Sequence, residues 1–366
     1  MNVVYLIIIY GVICICMILF NVLAIIYGEG SNKINDLKRK KYKQKIKEQF
    51  KNIENKKEVD KEHLKYIKRK LKHGNELIII DSIITSYKRR ENKYIDEYLL
   101  ACKEVFIELI YHYNKKSNTE KAYYLSAIRD YNLLYKCDRK EVERILFNSL
   151  QDESFYSRDN ALLAISKMGS TDKLYNALIK ISNSDKFFHP NIISNSLNIF
   201  NGNTSELIKL LMNNFDKLRS DIKCSLIEYI AYYKTSYNKF ILELLLSSND
   251  RNIKLSALKY FEYISYKPAL KVLIDYVDKY LNIDFNLCIT AIKALRNYSD
   301  EKSINTLKKA AYSDNFKMRN MACESLAVIR LGLSAKDLDE FVFEEDVNDL
   351  YNYHIHKNKK KSGEVL

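Results

Sequence analysis

The chain has 366 residues, 60 Lys+Arg against 46 Asp+Glu, and a formal net charge of +14. Only 2 prolines and 8 glycines interrupt it, which argues against an all-β or turn-rich fold. The seven cysteines are odd in number and show no Cys-x-x-Cys spacing, so they read as reduced thiols rather than a disulfide framework.

In chain order, the first element is an uncharged apolar run from Val3 to Tyr27, in which sixteen residues are Val, Ile, Leu or Phe. At roughly 1.5 Å per residue a helix of this length measures about 37 Å, against a hydrocarbon core of about 30 Å. The run therefore predicts a single transmembrane helix, retained as an anchor over residues 1–29. A cleaved signal peptide would need a basic start and a shorter apolar stretch. Between Lys33 and His73 stand 17 Lys+Arg and 6 Asp+Glu, a net of +11. Positive charge beside a span marks its cytoplasmic end, so the expected location is the cell membrane, single-pass, with the N-terminus outside and the rest cytoplasmic.

Residues 30–74 read as a basic juxtamembrane helical stalk. Tyr42, Ile46, Phe50 and Ile53 recur at helical spacing and form one thin apolar stripe on a lysine-rich rod. Lys38, Arg39, Lys40, Lys41, Lys43, Lys45 and Lys47 are its candidate membrane-surface or topology residues. Two readings stay open, a helix lying on anionic lipid and a solvated stalk whose charge only sets orientation. Residues 75–139 hold divergent amphipathic helices near 76–89, 93–113 and 120–136.

From about residue 140 a period emerges. Turn signals at Thr171-Asp172, Thr204-Ser205, Ser236-Tyr237, Lys267-Pro268 and Ser299-Asp300 recur at a nearly constant interval. Each offers an N-cap residue or a first-turn proline ahead of an apolar helix. A second ladder runs through Ala161, Ser196, Leu226, Ala257, Ala291 and Ala322, mostly small residues suited to close helix packing. Two independent markers with one period, roughly 32 positions long, predict repeated helix pairs over 140–332.

These repeats resemble the HEAT and HEAT-like α-solenoids, here of a membrane-anchored bacterial type. The resemblance rests on Asp152, Arg158 and Ala161, followed by Met168-Gly169, and again on Asp314, Met318, Arg319, Ala322 and Leu326. Ile253-Lys254-Ala257 and Ile222-Lys223 are weaker copies, while Cys288 and Ile193 occupy the arginine position elsewhere, so the family's Asp–Arg ladder would be incomplete. The expected fold class is all-α, one transmembrane helix followed by a solenoid of antiparallel helix pairs. Such solenoids mostly bind partners.

Ser334 to Asp337 forms a capping box that opens a final helix carrying Leu338, Phe341 and Val342. Residues 333–353 are expected to cap the array, and residues 354–366 to form a disordered tail.

Chemistry is sparse. The glycines make no phosphate-binding loop, and no His-Glu-x-x-His occurs. His354 and His356 read as surface residues rather than metal ligands, and Asp337-Leu-Asp339 as acids in a first helical turn rather than a sugar-nucleotide metal motif. Neither an enzyme activity nor a cofactor is expected. Tyr229, Tyr232, Tyr233, Tyr260 and Tyr263 cluster on second helices, where they could line a partner surface or fill core.

The leading expectation is a membrane-anchored cytoplasmic scaffold. It would bind a membrane-associated protein partner as an accessory subunit, for instance of a complex making an envelope polymer. Anionic lipid is a further partner open to the basic stalk, whereas neither nucleic acid nor a small-molecule substrate is expected. A HEAT-like nucleic-acid binder or DNA glycosylase is one alternative. It is disfavoured by the absence of Trp and by a charge excess lying outside the repeats. A peripheral lipid-surface structural protein is another.

Overall fold

A computed structural model describes residues 3–280, 284–332 and 345–361. Among them are eighteen α-helices, two short 3-10 turns and no strand, so the all-α expectation holds. The chain divides into two compact units, Met1–Met168 and Gly169–Leu366.

The first unit holds α1 (Val3–Glu54), α2 (Lys61–Leu71), α3 (Gly74–Arg89), α4 (Ile95–Tyr113), α5 (Asn118–Asp130), α6 (Lys140–Ser149) and α7 (Phe155–Lys167). The stripe read from the sequence is a core face. Tyr42, Ile46, Phe50 and Ile53 are all buried, and α1 packs against α3 and α4. The lysine-rich segment is therefore an integral wall of this unit rather than a free stalk. Its charged residues lie where the apolar stripe leaves them, on the outer faces of α1.

One expectation is corrected here. Among the described residues, no helix is long and apolar enough to cross a membrane. The transmembrane anchor is withdrawn, and with it the single-pass cell-membrane location and the N-terminus-outside orientation derived from it.

Buried aromatic residues fill the first unit, several of them with hydrogen-bonded hydroxyls. Tyr113 stacks on Tyr124 at 4.2 Å between centroids, and its hydroxyl donates to the Leu71 carbonyl at 2.6 Å. Tyr124 donates to the Phe106 carbonyl, and Tyr131 and Tyr123 both donate to the Asp81 carboxylate. Tyr42 donates to Glu76, which also pairs with Lys38 at 2.9 Å. A buried phenol is favourable only when its O–H finds an acceptor, and these helices supply one from a neighbouring turn or carboxylate.

The second unit is regular. First helices are α8 (Thr171–Ser182), α10 (Thr204–Asn213), α12 (Asn238–Ser247), α14 (Leu270–Tyr280) and α16 (Glu301–Ala311). Second helices are α9 (Pro190–Asn198), α11 (Ser220–Tyr232), α13 (Arg251–Tyr263), α15 (Phe285–Leu295) and α17 (Phe316–Leu331). All five turn signals fall at the openings of the first helices, with Ser170 and Asn203 side chains capping α8 and α10. Asp250, Asp284 and Asn315 cap α13, α15 and α17, each accepting the backbone N–H two residues on. Such caps satisfy donors the helix cannot satisfy itself, which is why they mark helix starts so consistently.

The second helices pack side by side in the order α9, α11, α13, α15, α17. In this unit Ser196, Leu226, Ala257, Ala291 and Ala322 are fully buried, as is Ala161 on α7 of the first unit. Small residues there let neighbouring helices approach closely. A close approach also fixes Gly202, where an added Cβ would sit 2.4 Å from the Gly169 carbonyl oxygen. Gly169 itself has φ 74°, the left-handed conformation that suits glycine.

A final helix, α18 (Glu345–Lys361), packs on α17 and continues through residues assigned from sequence to a tail. His354 is buried in that contact, its Nε2 2.9 Å from Asn320 Oδ1, rather than exposed as expected. The capping box at Ser334, the apolar face of Leu338, Phe341 and Val342, and Asp337-Leu-Asp339 lie outside the described residues.

Candidate functional site

Four of the five tyrosines singled out in the sequence meet in one groove of the second unit. The groove has a volume of about 730 Å³, and its walls come from α9, α11, α13 and α15.

The construction is periodic. Two pairs that line the groove, Ser194 with Ser225 and Glu228 with Lys259, stand 31 residues apart and touch through their side chains. Asn198 with Tyr229, and Tyr232 with Tyr263, repeat the same interval. Ala231, Glu262 and Lys293 continue it over consecutive second helices. A constant interval between neighbouring second helices returns the same helical position to the same place one helix further along. The groove is thus one face of consecutive α11, α13 and α15, with α9 closing one side.

The tyrosines differ in exposure. Tyr232 and Tyr263, the last residues of α11 and α13, are 73% and 60% exposed. Tyr233 is part of an aromatic cluster, 4.8 Å from the Tyr229 ring and 5.3 Å from the Tyr232 ring, both edge-on. Tyr229 is only 3% exposed although it lines the groove. Its hydroxyl makes no hydrogen bond of ordinary geometry and faces the side chains of Thr204 and Tyr233. Burial pushes that hydroxyl up to about 12. Tyr260 does not join the others. It is fully buried, accepts from the Tyr237 N–H at 3.1 Å, and lies 3.0 Å from the Thr235 carbonyl.

The charges are nearly balanced by neighbours on the ladder. Lys259 reaches back one repeat to Glu228 at 2.7 Å, and Arg296 reaches back to Glu262 at 3.4 Å. Both pairs are part exposed and worth at most about 1 kcal/mol each. Among the described residues, Lys293 has no such partner. Glu228, Lys259, Glu262 and Lys293 were not singled out from sequence, because single charged residues are unremarkable in a chain with 29% charge. Their common repeat interval was the available signal.

The repeat-motif residues serve structure. Arg158 donates to the Asp152 and Glu153 carbonyls, both at 2.8 Å, and Arg319 likewise to Ser313 and Asp314 at 2.9 and 3.0 Å. Each arginine ties down the loop preceding its own helix. Asp152 instead meets Lys121 at 2.8 Å.

The basic residues of α1 belong to the first unit and take no part in the groove lining. Lys38 is tied to Glu76 and Lys45 stands 4.7 Å over the Tyr66 ring, while Arg39, Lys40, Lys41, Lys43 and Lys47 are exposed. A half-open hollow beside them is lined by Lys45, Glu48, Asp60 and His63 among others. No cluster of three metal-ligating side chains occurs among the described residues.

No protein-family model matches the chain, and no curated protein is similar to it. Solved structures that resemble it include a designed armadillo repeat protein, 16% identical, over 61% of this chain and 99% of that one, with a TM-score of 0.29. Two engineered proteins are also similar. One is 14% identical over 69% of this chain and 68% of that one, with a TM-score of 0.33. The other is 16% identical over 63% and 91%, with a TM-score of 0.26. At such scores the repeat architecture rests on the chain's own helix order, caps and buried ladder.

Proposed function

We propose that this chain is a helical repeat scaffold that binds a partner protein along the groove of its second unit. The observation that supports this reading is the pair Tyr232 and Tyr263. Two large aromatic side chains stand exposed at one equivalent position in consecutive repeats, inside the same groove. An exposed tyrosine offers much apolar area with few torsions to freeze and a hydroxyl at its tip, which is why tyrosines concentrate in interface cores. Hot-spot tyrosines each account for about 2 kcal/mol or more on truncation.

The HEAT-like reading of the repeats belongs to the same proposal, supported by the matching roles of Arg158 and Arg319. A nucleic-acid groove is not favoured, since the lining carries two glutamates and two lysines and offers no net positive charge to phosphate. What the lining does offer is aromatic surface between charged rungs, which suits the binding of another chain.

The test is site-specific photo-crosslinking of the full chain in cells of its source. Benzoylphenylalanine at positions 232 and 263 should yield the same discrete protein adduct, identified by mass spectrometry. Position 239 on α12, where the Lys239 side chain is 86% exposed, should yield none. Adducts at 239 alone, or at no position, would remove the proposal.

A further inference from the structure

We propose that the outer flank of α1 is a docking surface for an anionic lipid bilayer, with Ile34 and Leu37 entering the headgroup layer between lysines. The surface belongs to the first unit, and the proposal does not rest on the protein-binding reading of the groove.

From Lys33 to Ile53, α1 has two unlike faces. The inner one, Tyr42, Ile46, Phe50 and Ile53, is buried, and the helix packs on α3 and α4. Lys33, Leu37, Lys40, Gln44, Lys47 and Lys51 follow one another at helical steps and are all exposed. At about 100° per residue this second row lies nearly opposite the buried one. It runs for about 27 Å at roughly 1.5 Å per residue. The packed inner face therefore holds the outer row as a long, fixed edge.

The edge carries one sign of charge. Residues 33–47 hold eight Lys+Arg and one acid, Asp36, a net of +7. The unit itself engages two of these cations, since Lys38 pairs with Glu76 at 2.9 Å and Lys45 stands 4.7 Å over the Tyr66 ring. Arg39, Lys40, Lys41, Lys43 and Lys47 are exposed, and among the described residues none of them has a carboxylate at salt-bridge distance. A face that only keeps a protein in solution mixes both signs. This one does not, and an anionic surface is its electrical complement.

Ile34 and Leu37 select which anionic surface. They are 55% and 67% exposed within the basic flank. A phosphate backbone gives aliphatic side chains nothing to contact, and the aromatic rings of this stretch, Tyr42 and Phe50, are buried on the inner face, where no base can stack on them. A bilayer supplies both partners, charged headgroups at its surface and an apolar layer within about 5–10 Å below. A helix flank lying along that surface needs no span.

The chain contains no Trp, so Leu37→Trp places a single indole at the proposed contact. The full-length variant is titrated with vesicles of brominated phosphatidylcholine, either pure or with about a third phosphatidylglycerol. Residues 3–27, uncharged throughout, contribute alike to both, so the comparison isolates the charged flank. Indole emission should shift to the blue and be quenched by the anionic vesicles, with at least about tenfold more lipid needed when they are neutral. Arg39→Gln, Lys40→Gln, Lys41→Gln, Lys43→Gln and Lys47→Gln together should weaken the anionic response roughly a hundredfold, with the melting temperature unchanged. Raising salt to about 0.5 M should weaken it without any substitution, which keeps the test open if that variant does not fold. Lys239→Trp, on exposed α12 of the second unit, should stay unquenched. Quenching alike by neutral and anionic vesicles, or unmoved by both the five substitutions and salt, would overturn the proposal. Equal quenching at position 239 would do the same by exposing diffuse adhesion. An indole at position 37 that no vesicle quenches, with a labelled oligothymidine bound and then lost in the glutamine variant, would assign the flank to nucleic acid instead.

Discussion

Both units bury tyrosines with answered hydroxyls, but the second also exposes a pair of them at one repeated position. In the first, tyrosines are interior spacers whose hydroxyls are answered by Glu76, Asp81 and the carbonyls of Leu71 and Phe106. In the second, close packing falls to Ala257, Ala291 and Ala322, and Tyr232 and Tyr263 are left on the surface. Large rings joined by specific hydrogen bonds hold irregular helices together. Small residues at a constant interval let similar helices stack, and so free the bulky residues for contact with something else. Surface tyrosine is informative here because it recurs at one position of the repeat.

Removing a ring should separate the units most. Phe106, almost fully buried among Tyr124 and Tyr131, should cost about 3–5 kcal/mol when changed to alanine, read from urea unfolding. A loss below about 1 kcal/mol would mean that rings do not carry the first unit.

Acid comes next. His63 is buried with its Nε2 2.9 Å from the Tyr98 hydroxyl, among the charges of Lys45, Asp60 and Glu48. Burial, helped by Lys45, lowers it from 6.5 to about 4. Its folded value lies below the unfolded one, so its contribution is intact above pH 6.5 and is lost as pH falls toward 4. The loss is bounded at about 3 kcal/mol. Hydrogen exchange of α2 and α4 should accelerate over that window, and His63→Asn should flatten the dependence. His354, lowered in the same direction by burial, should give α17 and α18 a similar acid sensitivity. A first unit indifferent to acid across that window would contradict the burial of a neutral imidazole.

Overfilling the ladder is a test of the second unit. Ala257→Leu should cost about 1–3 kcal/mol, since the site is fully buried between helices. The same change at an exposed position should be neutral. Smallest of all are the single-atom changes. Tyr131→Phe removes one of two hydroxyls on Asp81 and should cost about 1 kcal/mol, whereas Tyr232→Phe should stay within about 0.5 kcal/mol in thermal melts.

How much of this was legible beforehand follows from which requirements are local. Helix starts at Thr171, Thr204 and Ser299-Asp300, and the small-residue ladder from Ala161 to Ala322, are local demands repeated many times, and the sequence displays them. The stripe of Tyr42, Ile46, Phe50 and Ile53 was equally visible, but its partner helices α3 and α4 are a tertiary fact that no periodicity states. The apolar run at the N-terminus misled in the other direction, since hydropathy from Val3 to Tyr27 was read as a span. Within the second unit, Tyr229 and Tyr260 occupy equivalent positions one repeat apart. A loop carbonyl at Thr235 and the Asn238 side chain complete one and not the other. Such a distinction depends on loop conformation, and sequence spacing cannot carry it.

The constant repeat interval has one more consequence, for how this surface can evolve. Because each helix pair brings its own rung, an in-frame duplication or loss of one pair lengthens or shortens the footprint by a fixed increment without redesigning what remains. Contacts then add along the row and affinity multiplies, so copy number rather than point substitution becomes the coarse control of binding strength. The aromatic pair at 232 and 263 is, in that sense, a two-mark ruler that recombination can extend.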